Sequence, residues 1–169
     1  MAIIEKFLGK KVEVPQNLRY HAKQGLWAKK TDRNIVFGFT QPALVLMGGI
    51  KDMDWLIEDG SAVHSGDSVV FAITGKILYI DAPIGGAIQY NQSLHADATQ
   101  IIADPYGQGW LYLIQPRGDI DKSYMSFASS EGYIESLQTT EGLKNPEGLK
   151  GGVSGICKAV YSGIGDQKL

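Results

Sequence analysis

The chain has 169 residues, 44% of them hydrophobic, with 16 Lys and Arg against 18 Asp and Glu. That is enough apolar material for one domain with an appendage, and the near-balance of charge leaves no basic field to hold nucleic acid. A single cysteine excludes an intrachain disulfide framework and most structural zinc sites, and no run of about 18 apolar residues offers a membrane span.

Residues 1–18 form an apolar-basic lead ending near Pro15, with a helical turn expected over 3–8. The apolar stretch at the start is too short for a secretory signal and lacks the Arg and Ser of a transit peptide, so a cytoplasmic protein is expected. Strands are expected near 19–21, 25–30 and 34–39, the last two joined by a turn at Asp32-Arg33-Asn34. Thr40 reads as a helix N-cap with Pro42 in the first turn. The helix, Ala43 to Met47, is apolar on all sides and is expected to be buried. Gly48-Gly49 ends it. A further strand lies within 50–57, a turn follows at 58–60, and 87–91 continues the sheet. A short helical segment is expected over 97–102 and a strand over 110–114.

Composition changes after Pro116, which divides the chain into a lead (1–18), a β-rich domain (19–117) and a C-terminal part (118–169). Ser129-Ser130 caps an expected helix to about 138, with Tyr133, Ile134 and Leu137 as its apolar stripe. The tetrapeptide Glu-Gly-Leu-Lys occurs at 141 and again at 147, too short and too few copies for a solenoid. Residues 153–164 mix apolar residues with Gly155, Cys157 and Gly163, and carry no readable motif. Cys157 reads as a small buried hydrophobe rather than a reactive thiol.

The most informative stretch runs from Asp67 to Pro83. Residues 68–74 and 77–81 are rich in β-branched and aromatic residues, and only Gly75 and Lys76 separate them. Glycine first in a two-residue loop predicts a type II′ turn, with Lys76 at the outermost point of a hairpin. An amine displayed there is reachable by another protein. Asp59-Gly60 and Gly66-Asp67 precede the hairpin, and Pro83-Ile-Gly-Gly86 follows it. Such glycines supply tight turns and close backbone approach.

These features resemble the barrel-sandwich hybrid of biotinyl and lipoyl domains, and within it the glycine cleavage system H protein family. Arg19-Tyr20 followed by Trp27 is similar to the family's opening strand. Val36 to Ala43 is similar to its strand-to-helix step. Gly66 to Lys76 has the family's spacing from glycine to modified lysine. Asp104-Pro-Tyr-Gly-Gln-Gly-Trp110 resembles its most specific segment. The resemblance covers about residues 19–116. It implies a mainly β barrel-sandwich fold with short helices and a C-terminal extension, and a non-enzymatic carrier with lipoate on Lys76. It also implies partners: a glycine decarboxylase, an aminomethyltransferase, a dihydrolipoyl dehydrogenase and a lipoyl-attaching enzyme. The sequence departs from the family where Ile73 replaces a usual Glu, Gly75 replaces Val and Gly25 lies nearest a usual His. The segment from Lys76 to Pro83 is one residue shorter.

Two alternatives share the fold. A lipoate-based carrier of sulfur or redox metabolism keeps the arm and changes the cargo. A binding module without prosthetic group fits Ile73, Gly75 and the shortened hairpin. A biotinyl carrier expects Ala-Met-Lys-Met, of which Thr74-Gly-Lys-Ile77 matches only the lysine. Elsewhere, Asp104 to Trp110 reads as a structural loop with Trp110 in the core. His21, His64 and His95 lack metal-ligand spacing and read as surface or structural, with His64 near the hairpin base. No Ser-His-Asp set, phosphate-cradling loop or carboxylate pair is evident, so neither catalytic nor metal residues are assigned.

Overall fold

Strand-forming segments dominate residues 1–149, the part of the chain described by this computed structural model; Cys157 and the segment around it lie outside the described residues. The lead forms a hairpin of β1 (Ala2–Phe7) and β2 (Lys10–Val14), not a helical turn. Leu8 and Gly9 both have positive φ, the geometry of a type I′ turn. Leucine rarely takes that conformation, so nothing in the sequence marked the turn.

The larger sheet contains β3 (Arg19–His21), β4 (Leu26–Lys30), β5 (Ile35–Phe39), β7 (Ala62–Val63), β10 (Gly86–Tyr90) and β11 (Tyr112–Pro116), in the order β3-β4-β5-β11-β10-β7. The smaller sheet has β6 (Asp52–Trp55), β8 (Ser68–Ile73) and β9 (Ile77–Asp81), in the order β6-β8-β9. Its inward side chains, Val70, Ala72 and Ile80, share one core with Phe37, Phe39, Ile88, Tyr112 and Ile114 of the larger sheet. Two sheets closed over one apolar layer make the barrel-sandwich architecture. The closure is tight at Gly86, where a Cβ would stand 2.1 Å from the Gln115 carbonyl oxygen. Any side chain there would separate β10 from β11.

Short helices decorate the sandwich. In α1 (Gln41–Met47) the Thr40 side chain accepts from the Ala43 amide and Gly48 ends the helix in the left-handed conformation, as the sequence predicts. Its burial is only partial: Ala43 and Leu44 are in the core, while Leu46 is exposed. The helical segment expected over 97–102 is two short turns, α2 (Ser93–Ala96) and α3 (Gln100–Ala103). A helix without a strong apolar stripe, α4 (Ile120–Met125), follows β11. Next come α5 (Ser130–Ser136), a 3-10 turn (Leu137–Thr139) and α6 (Glu141–Lys144), the first tetrapeptide copy.

A second apolar cluster joins the lead to the C-terminal helices. Phe7, Val12, Val14, Tyr20, Trp27, Tyr133 and Leu137 are all buried in it. Lys6 pairs with Glu147 at 2.9 Å, and the Leu8 amide donates to the Gly142 carbonyl at 2.9 Å.

Candidate functional site

The site is built on the β8–β9 hairpin. Ile73 and Ile77 are the last paired residues, so the loop has three members, Thr74, Gly75 and Lys76. The expected two-residue type II′ turn does not form, because Gly75 lacks the positive φ it requires. Thr74 is pulled inward instead: it is buried, and its amide donates to the Lys76 carbonyl at 2.9 Å. That leaves Gly75 and Lys76 exposed at the tip. The ion pairs among the described residues, Lys6–Glu147, Lys30–Asp121 and His64–Asp67, do not involve Lys76.

Beside the tip lies an open cleft of about 560 Å³, within the range of small-molecule sites. Lys76, Leu78, Leu46, Met47, Gln24 and Gly25 contribute to its walls. The all-round apolar character of α1 thus has two causes: one side enters the core and another lines the cleft. Sequence reasoning missed Leu46 and Met47, although their helix had apolar residues to spare for a second surface. Nothing in the sequence marked Gln24 or Leu78.

Gln24 fixes the hairpin to the cleft. Its amide donates through Nε2 to the Asp81 carbonyl at 2.9 Å and accepts from the Asp81 amide through Oε1 at 2.7 Å. The side chain mimics a neighbouring strand and covers part of the free edge of β9. Gly25 has φ of +69°, and a Cβ there would lie 2.6 Å from the Ala43 Cβ. The close approach of this loop to α1 therefore depends on glycine.

Beneath the cleft the Tyr133 hydroxyl meets the Thr40 hydroxyl at 2.6 Å, and burial pushes the tyrosine up to about 12. The Tyr133 ring stacks on Tyr20 with centroids 4.7 Å apart.

The Asp104 to Trp110 segment acts as a bracket for this end of the fold. The Pro105 carbonyl accepts from the Trp27 indole at 2.9 Å. The Tyr106 hydroxyl donates to the Glu13 carbonyl at 2.5 Å and accepts from the Gln41 amide at 3.0 Å. Trp110 itself is half-buried beside the second cluster, and Leu111 occupies the core instead. Of the histidines, His64 is exposed and faces Asp67 at 3.7 Å, away from the cleft walls. His95 accepts from the Trp55 indole at 2.7 Å, and His21 sits against Phe127. Among the described residues no group of three or more potential ligands is placed to hold a metal ion. No helix among them is long and apolar enough to cross a membrane.

The family model of the glycine cleavage H-protein matches residues 18–140. The chain belongs to the glycine cleavage H-protein family. The match takes in the cleft, the hairpin and the bracket, and leaves most of the β1–β2 lead outside. A glycine cleavage system H protein of Thermus thermophilus is 30% identical over 132 residues, covering 76% of this chain and 98% of the relative. One from an Anaeromyxobacter species is 31% identical over 130 residues, covering 75% of this chain and 100% of the relative. The crystal structure of the H protein of Mycobacterium marinum superposes with a TM-score of 0.59 at 26% identity, covering 72% of this chain and 97% of that one. Members of the H-protein family are lipoyl carriers that hold lipoate covalently on a lysine, and they serve as carrier components rather than catalysts.

Proposed function

We propose that Lys76 is the lipoylated residue and that this chain is a cytoplasmic carrier. Its arm passes between a pyridoxal-phosphate glycine decarboxylase, a folate-dependent aminomethyltransferase and a flavin-dependent dihydrolipoyl dehydrogenase, after loading by a lipoyl-attaching enzyme. The observation that supports this reading is the pairing of an exposed amine, in no ion pair among the described residues, with an apolar-walled cleft at its side. Amide formation at Lys76 Nζ removes the positive charge, and the hydrocarbon arm then matches walls formed by Leu46, Met47 and Leu78. When attached, lipoate supplies the reactive disulfide that takes up the aminomethyl cargo.

The chain's own residues supply display and shelter. Thr74 turns the tip outward, Gln24 fixes the hairpin edge, and Leu46, Met47 and Leu78 offer an apolar resting surface. Intact-mass analysis of protein from its native host tests the reading. The expected spectrum shows one lipoyl group, lost in Lys76→Arg. An unmodified Lys76 in a host with working lipoylation overturns it.

A further inference from the structure

The outer face of the smaller sheet changes character along its length. At the hairpin base it is polar, with the Ser68 hydroxyl donating to the Asp81 carboxylate at 2.8 Å. Toward the tip, register places Phe71 opposite Tyr79 and Ile73 opposite Ile77, all four pointing away from the core. Tyr79 is 62% and Ile77 57% exposed. Solvent faces of antiparallel sheets are ordinarily polar, and single exposed apolar residues are unremarkable. Two adjacent apolar cross-strand rows are neither.

The same register continues onto β6. Asp54 pairs with Phe71 and Asp52 with Ile73, so each apolar row ends in an exposed carboxylate. Neither aspartate has an ion-pair partner among the described residues. Both border a shallow depression of about 280 Å³ that Phe71 and His95 also line.

Resting on the carrier reading of Lys76, we propose that this face is where the glycine decarboxylase docks while it takes up the arm. The partner presents an apolar patch flanked by arginine or lysine: the patch covers Phe71, Ile73, Ile77 and Tyr79, and the cations meet Asp52 and Asp54. Charge complementarity fixes the orientation, and exposed apolar and tyrosyl side chains at the centre of such a contact provide its binding energy. The face is continuous with the tip, so a protein seated on it stands directly beside Lys76.

The test uses the full chain in its lipoylated form, with the host's glycine decarboxylase as probe. Glycine–bicarbonate exchange is measured against carrier concentration. The double variant Ile77→Ser with Tyr79→Ser is expected to raise KM for the carrier at least about tenfold, with kcat at saturation within about twofold. The double variant Asp52→Lys with Asp54→Lys alters only exposed polar side chains. It is expected to raise KM and to abolish the weakening of wild-type binding by salt. Met125→Ser, an exposed apolar residue on α4 against the larger sheet, is expected to leave KM unchanged. Wild-type KM in both double variants overturns the docking face and leaves the Lys76 reading standing. A wild-type chain that carries lipoate yet supports no exchange overturns the docking proposal. A chain whose Lys76 is unmodified overturns the carrier reading itself.

Discussion

The hydroxyls of Tyr133 and Thr40 lie 2.6 Å apart, linking α5 to the N-cap of α1 directly below the cleft. Thr40 Oγ1 also accepts from the Ala43 amide, so the pair completes a buried network. Tyr133→Phe leaves the cap in place and removes one buried bond. A loss of about 1 kcal/mol is expected, read as a lower urea midpoint with an unchanged m-value. Thr40→Val removes the cap as well and is expected to be the more destabilising of the two.

Gln24 bridges the loop between β3 and β4 to the Asp81 backbone through two hydrogen bonds. Gln24→Ala is expected to lower stability by about 1–2 kcal/mol. It also uncovers part of the β9 edge. Amide exchange is expected to accelerate at Asp81 more than at the β10–β11 ladder, which hydrogen-exchange mass spectrometry with local resolution can read.

Gly86→Ala places a methyl group against the Gln115 carbonyl. The clash is with backbone, so no rotamer change relieves it. A loss of at least about 2 kcal/mol is expected, seen as a drop in Tm by circular dichroism.

Burial holds the His21 imidazole below its ordinary value of 6.5, and its Nδ1 has no hydrogen-bond partner among the described residues. The folded chain therefore binds this proton less readily than the unfolded chain. The contribution of a neutral His21 is complete above pH 6.5, declines as pH falls below that, and levels off once the folded group is itself protonated. Denaturant titrations at several pH values are expected to show this slope in the wild type and to lose it in His21→Gln.

Much of the scaffold was legible because local chemistry and tertiary demand agree. Thr40, Pro42 and Gly48 mark α1 at both ends, Ser129 marks α5, and β-branched runs mark β8 and β9. The exposed position of Lys76 at the tip was legible as well. What sequence left open depended on distant partners. Leu8 adopts a left-handed turn that its amide supports from across the molecule by donating a hydrogen bond to the Gly142 carbonyl. The three-residue loop forms because Thr74 finds a buried position, which spacing alone does not reveal. The cleft needs Gln24, Leu46 and Leu78 from three separate segments. The outward pair Ile77 and Tyr79 lay within a continuous apolar run, Ile77 to Ile80, so the side facing solvent became known only from the register with Phe71 and Ile73.

Phe7 is fully buried, its ring filling the space beside Gly142, while the Leu8 and Gly9 amides donate to the Gly142 and Pro146 carbonyls. These contacts join positions more than 130 residues apart in sequence. Contacts between such distant positions are expected to form late in folding and to open before the sandwich under stress. Proteolytic sensitivity around residues 8–9 and 142–146 should therefore rise together, at denaturant concentrations where the hairpin bearing Lys76 is still intact.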